Sequence, residues 1–152
     1  MEIFHSYFKF WRSFEQKQDF SWVAITKSTP PDYYGSEYKL LAPIGERFDK
    51  LCEPVFQEAA FFREYAKLLG SLNRDRVLAD LAKFSPHGKD IVLLNWEDLA
   101  RKSEGRFAYA WLFNLTMEQA DQRDLELVLK ERKKQEELEA SLYGGRSVFL
   151  DI

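Results

Sequence analysis

The residues best suited to chemistry follow an aliphatic run in the second half of the chain. Residues 91–94 read Ile-Val-Leu-Leu, and an amide, an indole and a carboxylate come next, at Asn95, Trp96 and Glu97. A carboxylate beside an apolar strand end can serve as a general acid or base. An amide can pair with a base edge, and an indole can stack on a flat ligand. Glu97 is therefore the candidate catalytic residue, and Asn95 and Trp96 are candidate ligand-binding residues.

Each of these three side chains also has an ordinary structural role. Glu97 can be a surface or capping carboxylate, Asn95 can hold a neighbouring loop, and Trp96 can pack in the core. The residue types alone leave both interpretations open. The position of the strand end within the fold decides between them.

Hydrophobic periodicity predicts strands that alternate with helices. Strands are predicted over residues 2–8 and 20–26, and the continuous apolar run at 91–94 predicts a strand covered on both faces. Apolar residues at helical spacing predict helices over residues 8–14, 44–51, 56–69, 73–84 and 105–115. The expected fold class is α/β, a single three-layer domain with a small parallel or mixed sheet flanked by helices.

Parallel strands would gather polar residues that are far apart in the sequence. In open α/β sheets, ligands bind at the carboxyl ends of the strands, where helix amino termini point inward. Lys27 and Arg106 offer cations for a phosphate group. No Walker or Gly-x-Gly-x-x-Gly motif is present, so neither ATP hydrolysis nor a standard dinucleotide site is indicated. No histidine is placed to activate Ser6, which excludes a serine triad. The expected ligand is a small phosphorylated or nucleotide-like molecule, and its candidate ligand-binding residues are Ser6, Tyr7, Thr26, Lys27, Asn95, Trp96, Ser103 and Arg106.

A long charged segment follows the predicted domain. Residues 116–119 read Thr-Met-Glu-Gln, a capping-box pattern that predicts a helix over residues 117–143, ended by Gly144 and Gly145. Its middle is almost free of apolar residues, so it is either a solvated helix or one that binds a protein partner or a second copy. Residues 147–152 are strand-like. We expect residues 1–115 to form the α/β domain and residues 116–152 to form a charged helix and strand-like tail that packs on the same domain or projects from it.

Composition narrows the classes of partner. The net charge of −3 over 152 residues makes nucleic acid an unfavoured partner without excluding it. Cys52 is the only cysteine and the two histidines are isolated, so neither a metal site nor a cofactor is predicted. The longest nearly uncharged apolar run, FAYAWLFNL, is far shorter than the roughly 20 residues of a membrane-spanning helix. The first residues lack a signal-peptide pattern, so a cytoplasmic location is expected.

Four pieces of the chain, in order, resemble the DUF488 family, a family of domains of unknown function. IFHSYF is similar to its opening strand, and VAITKSTPPDYYGSEYKLLAP to its second strand and long loop. FFREYAKLLGSLNRDRVLADL is similar to its two-helix middle, and DIVLLNWEDLARKSEGRFAYAWL to its third strand and following helix. The resemblance covers about residues 2–113 and implies the fold and the pocket position. Tyr38, the tyrosine at the end of the long loop, joins the candidate ligand-binding residues.

The chain departs from that family at the positions that would carry chemistry. Where relatives have a cysteine after the leucine run, this chain has Asn95, while Trp96 and Glu97 keep the aromatic residue and the acid. Where relatives have Cys-His-Arg, residues 103–105 read Ser-Glu-Gly, followed by Arg106. Because the groups that would carry chemistry in relatives are missing, we expect this chain to bind a ligand without strong catalysis. The alternatives are an enzyme that uses Glu97 on a nucleoside-type glycosidic bond, and a protein-interaction module built on residues 117–143 and the tail.

Overall fold

One sheet, in which every strand pair is parallel, organises the domain. The computed structural model describes residues 1–53, 55–96 and 104–150, with side chains up to residue 143 in the last range. The strands in these ranges are β1 (Ile3–Tyr7), β2 (Phe20–Ala24), β3 (Ser36–Glu37) and β4 (Asp90–Asn95). Their order is β1-β4-β2-β3, so the last strand in the chain lies inside the sheet. β4 pairs with β1 from Ile3 opposite Ile91 to Tyr7 opposite Asn95, and it pairs with β2 on its other side.

The helices connect the strands and cover both faces of the sheet, which confirms the predicted α/β class. Each helix predicted from apolar spacing is present within a few residues of its expected bounds. Asn73 caps the fourth helix, because its side chain accepts a hydrogen bond from the Arg76 backbone N–H. The helices are α1 (Phe8–Ser13), α2 (Glu46–Asp49), α3 (Glu58–Gly70), α4 (Arg74–Ala82), α5 (Glu104–Phe113), α6 (Met117–Asp121) and α7 (Leu125–Leu150).

The sheet separates two apolar clusters, and this gives the domain its three layers. On one face, Val23 and Leu93 pack with buried residues of α3, α4 and α5. On the other face, Phe4 packs with Trp11 of α1 and Leu125 at the start of α7. β4 is buried on both faces, and its uniformly apolar run over residues 91–94 follows from that position.

The long loop that the family resemblance implies after the second strand contains a short strand that the sequence did not indicate. β3 pairs only with Val23 and Ala24 of β2. The Tyr33 hydroxyl fixes this edge, because it donates to the Ser36 carbonyl at 2.6 Å and lies 3.1 Å from the Trp22 carbonyl oxygen. A strand of two residues shows no alternation of apolar and polar side chains, so hydrophobic periodicity does not reveal it.

The segment after residue 115 forms two helices instead of the single predicted one. The capping box is confirmed at the start of α6, where Thr116 and Gln119 exchange side chain–backbone hydrogen bonds. The helix ends at Asp121 and a new one begins at Leu125. The Asp124 carboxylate accepts a hydrogen bond from the Leu127 N–H in the first turn of α7. The break lets the His5 N–H donate to the Arg123 carbonyl at 3.3 Å, which ties the segment to β1.

α7 also runs further than predicted. It continues through Gly144 and Gly145 to Leu150, so the expected helix end at these glycines and the strand-like structure expected for residues 147–150 are wrong. Glycine permits a helix to end but does not impose an end on it. Residues 151 and 152 lie outside the described residues. None of the helices in the described ranges combines the length and apolar character that a membrane crossing requires.

Candidate functional site

A cavity of about 100 Å³ opens at the carboxyl ends of β2 and β4. This is the position at which parallel α/β sheets bind ligands. Thr26 and Lys27 reach the cavity from the end of β2, and Trp96 reaches it from the end of β4. Three of the ligand-binding candidates therefore meet there. The other polar residues in its wall are Ser28, Asp49, Cys52 and Glu104.

Thr26 and Trp96 shape the cavity through a shared acceptor. The Thr26 hydroxyl donates to the Ser28 carbonyl at 2.7 Å, and the Trp96 indole N–H donates to the same oxygen at 3.0 Å. The Trp96 ring also makes an edge contact with Phe8, with 5.0 Å between centroids. These contacts hold the loop after β2 in place, so the indole is a fixed wall of the cavity.

Lys27 brings a positive charge to the mouth of the cavity. Its Nζ lies 3.0 Å from both carboxylate oxygens of Asp49. The Lys27 side chain is 57% exposed and the Asp49 side chain 50%. Lys39 supports the backbone beneath this pair by donating to the carbonyls of Thr26 and Lys27. Exposed ion pairs contribute about 0–1 kcal/mol. An incoming anion can therefore replace Asp49 as the partner of Lys27 at low cost.

Glu104 places a buried carboxyl group in the cavity wall. The residue is only 4% exposed and is the first residue of α5. The positive end of a helix favours a negative charge at this position. Its charge reaches Tyr65, whose pKa is held well above the usual range first by burial and then by Glu104. Glu104 therefore offers a hydrogen-bond acceptor in a setting with little water.

Asn95 lies behind the cavity wall and is sealed by α5. Asn95 is 1% exposed, and its Nδ2 donates to the Trp96 carbonyl at 3.0 Å. Its Oδ1 has no hydrogen-bond partner among the described residues. A Cβ atom on Gly105 would lie 2.5 Å from that oxygen, so only glycine lets α5 come this close to the end of β4. Asn95 thus joins β4 to α5 and does not line the cavity.

Ser6, Tyr7 and Arg106 form a separate polar group at the carboxyl end of β1. Arg106 pairs with Asp121 of α6, with Nη1 3.0 and 3.1 Å from its two carboxylate oxygens. Ser6 is buried, and its hydroxyl has no partner among the described residues. Burial raises the pKa of Tyr7 above its usual value of 10.0, and the Asp124 charge adds to that effect. None of these three residues lines the cavity between β2 and β4.

Tyr38 is directed to another helix, and two candidates cannot be placed. Tyr38 is buried and donates its hydroxyl proton to Asp80 of α4 at 2.7 Å, so it serves the core on the α4 side. Ser103 and the candidate catalytic residue Glu97 lie outside the described residues. Their assignment as site residues therefore stays a prediction.

A larger recess lies beside the first half of β2, which β3 leaves uncovered. Its volume is about 490 Å³, and its walls include Lys17, Trp22, Tyr34 and Phe84. Lys17 donates to the carbonyls of Phe14 and Arg12, and its ammonium group lies over the Trp11 ring. The cation of this recess thus stabilises the adjacent turn. We favour the strand-end cavity because it contains a buried carboxyl group.

Four polar residues that line the cavity were not among the predicted site residues: Ser28, Asp49, Cys52 and Glu104. Asp49 and Cys52 come from the helical segment after the long loop, and neither belongs to a recognisable motif. Glu104 was read only as a substitution in the Cys-His-Arg position, although an acid at a helix start after a strand-end loop was the available signal. Within the described ranges, no three His, Cys, Asp or Glu side chains are grouped as metal ligands would be.

Comparisons with models of protein families, with curated proteins and with solved structures find no match to this chain.

Proposed function

We propose that the protein binds a small polar molecule in the cavity at the ends of β2 and β4. The observation that carries the proposal is the buried Glu104 carboxyl group in a cavity whose mouth holds the Lys27 cation. Ligand pockets carry a few placed polar groups that fix the orientation of the ligand, and the Glu104 carboxyl group is such a group in the wall of this cavity. The fixed Trp96 and Thr26 side chains leave the cavity ready-formed.

Two groups of the ligand follow from the charges of the cavity. An amine, amide or hydroxyl group can donate to Glu104, because a carboxyl oxygen accepts hydrogen bonds. An acidic group, of which phosphate is the form expected from the sequence, can pair with Lys27 after displacing Asp49. The preferred ligand class is therefore a phosphorylated molecule that also carries a hydrogen-bond donor.

The size of the cavity limits the ligand further. A volume of about 100 Å³ is well below the roughly 300–1,000 Å³ of pockets that enclose drug-sized ligands. A small head group fits inside, whereas the base and ribose of a nucleotide would lie outside. We therefore favour a small phosphorylated metabolite over a whole nucleotide.

Kinship with the DUF488 family is part of the same proposal. It is supported by the order of the elements: strand, strand with long loop, two helices, then strand and helix, as the four similar pieces suggest. Catalysis by Glu97 on a nucleoside-type bond is the weaker alternative, because no described side chain geometry bears on it. Binding without catalysis is the function that we favour.

Phosphoethanolamine tests the proposal because it carries both predicted groups. It is expected to raise the melting temperature, whereas ethanolamine and inorganic phosphate are each expected to raise it less, and AMP serves as the nucleotide probe. Cys52 gives a local readout: it is the only cysteine and lines the cavity, so a bound molecule should slow its alkylation. If none of these compounds changes either the melting temperature or the alkylation rate, the proposal is wrong.

Matched variants locate the binding. Glu104→Gln should weaken phosphoethanolamine binding about tenfold or more, since a hydrogen bond to a charged group contributes about 1.5–3 kcal/mol. Glu58→Gln changes an exposed acid at the start of α3 and should leave binding unchanged. Lys27→Met should weaken binding of the phosphate group, while Lys50→Met, which removes an exposed lysine paired with Glu46, should not.

A further inference from the structure

α7 leaves the domain after its first turns. It has 26 residues, which corresponds to about 39 Å at the usual helical rise. Leu125 and Val128 are buried against the sheet, and Arg132 makes the last described contact with the body, an ion pair with Glu2 at 3.3 Å. Residues 133–143 are all exposed. A helix with so little burial derives little stability from the domain itself.

One side of α7 carries apolar residues that the domain does not cover. Leu127 is 41% exposed, Leu138 56% and Leu142 60%. Three helical turns take about 11 residues and one turn about four, so these leucines share one face. Glu131 and Lys134 lie between them on the same face. We call the residues Leu127, Glu131, Lys134, Leu138 and Leu142 the outer stripe.

We infer that the outer stripe of α7 is the self-association surface of the protein and that a second copy packs on it in the antiparallel direction. The charges of the stripe select this occupant. When the two helices cross their two-fold axis between Arg132 and Lys133, Leu127 of one copy faces Leu138 of the other. In the same register, Glu131 of one copy faces Lys134 of the other. Both contacts occur twice because the pairing is symmetric.

The residues beside the stripe agree with the same register. Lys130 of one copy comes within one turn of Glu137 of the other, which adds opposite charges at both ends of the contact. A parallel pair would instead place Glu131 on Glu131 and Lys134 on Lys134. Like charges at such positions are destabilising, so the stripe favours the antiparallel pair and disfavours the parallel one.

The ion pairs seen within α7 do not oppose this association. Lys134 lies 3.8 Å from Glu131 of the same helix, and Lys130 lies 3.5 Å from Glu126. These are exposed pairs, which contribute about 0–1 kcal/mol each. Exchanging them for pairs across a dimer costs little and covers Leu127 and Leu138.

Charge reversal in the full-length chain tests the surface. The wild-type protein is expected to form a concentration-dependent dimer in sedimentation velocity at low salt. Glu131→Lys should raise the dissociation constant about tenfold or more, because two attractive pairs become repulsive. Adding Lys134→Glu to the same chain should restore the dimer, since the opposite charges then face each other again. Glu136→Lys, an equal charge change on the opposite side of the helix, should dimerise like the wild type.

The direction of the pair is tested by disulfide formation. In a Cys52→Ser chain, a mixture of Leu127→Cys and Leu138→Cys proteins should cross-link to each other faster than either cross-links to itself. Faster self-linking would indicate the parallel direction and overturn the inference. A protein that stays monomeric up to about 1 mM, or a dimer that is insensitive to Glu131→Lys, would overturn it as well.

Discussion

Gly105 and Asn95 are matched to each other at the junction of α5 and β4. The space that a side chain on Gly105 would need is taken by the Asn95 amide oxygen, 2.5 Å from the position of a Cβ atom. Both residues are buried. Glu104 directly precedes Gly105, and Trp96 directly follows Asn95. The close approach of the helix to the strand therefore positions two residues of the cavity wall.

Gly105→Ala is expected to destabilise the protein by about 1–3 kcal/mol, the usual cost of inserting a methyl group into a packed interior. Denaturant unfolding measures the change. Gly70→Ala is the matched control, because no atom lies within 4 Å of its added Cβ, and it should be neutral or slightly stabilising. If steric conflict with Asn95 is the cause, Gly105→Ala should cost less in an Asn95→Ala background.

Tyr38→Phe should change the titration of Asp80. The hydrogen bond from the Tyr38 hydroxyl is the first cause that lowers the pKa of Asp80 below 3.8, and Lys83 and Arg76 lower it further. Without the hydroxyl, the pKa should rise toward 3.8, as measured by NMR of the carboxyl carbon. Because a lowered carboxyl pKa stabilises the fold above the unfolded value, the stability lost in Tyr38→Phe should shrink as the pH falls through the folded pKa.

His5 should make the protein less stable in mild acid. Burial is the main cause that lowers the pKa of His5 below 6.5, and the Arg106 charge lowers it further. The hydrogen bond to the Ala120 carbonyl and the charges of Asp124 and Asp121 raise this pKa, but burial outweighs them. The unfolded chain therefore binds a proton before the folded one does as the pH drops below about 6.5, and stability falls.

The melting temperature measured from pH 7 to pH 5 checks this dependence on His5. The decrease should be smaller in His5→Gln than in the wild type, whereas His87→Gln, at an exposed position, should retain it. Asp124, whose pKa is raised by burial, acts in the opposite sense. An equal decrease in all three proteins would contradict the role of His5.

Asp124→Ala should destabilise the protein by about 0.5–2 kcal/mol through the loss of a helix cap. The Asp124 carboxylate accepts from the Leu127 N–H at 3.3 Å, and the Asp124 carbonyl accepts from the Val128 N–H at 2.9 Å. Asp124→Asn keeps a capping oxygen and should cost less. Unfolding followed by circular dichroism compares the two, and equal losses would show that capping is not the cause.

Local patterns predicted the elements of the fold well because the residues carry their own periodicity. The uniformly apolar run over residues 91–94 indicated a strand covered on both faces, and β4 is that strand. The helices followed from apolar spacing, and the capping-box pattern at Thr116 predicted the start of α6. β3 escaped because its two residues have no period, and α7 passed its glycines because glycine does not force a helix to end.

The candidate site was less predictable because partners are set by packing. The rule for parallel sheets gathered Thr26, Lys27 and Trp96 correctly at one cavity. The same rule grouped Arg106 with them, but α6 brings Asp121 to Arg106 on the β1 side. The buried state of Glu104 depends on how closely α5 approaches β4, and no local pattern in the sequence encodes that distance.

The strand order also has a consequence for how the chain folds during synthesis. Among the strands of the described residues, β1 and β2 are not neighbours, and each pairs along its length only with β4. Until residues 90–95 leave the ribosome, β1 therefore has no strand partner and β2 has only the two residues of β3. The sheet must close late, over a long loop of intervening chain, which is the slow step for folds rich in distant contacts.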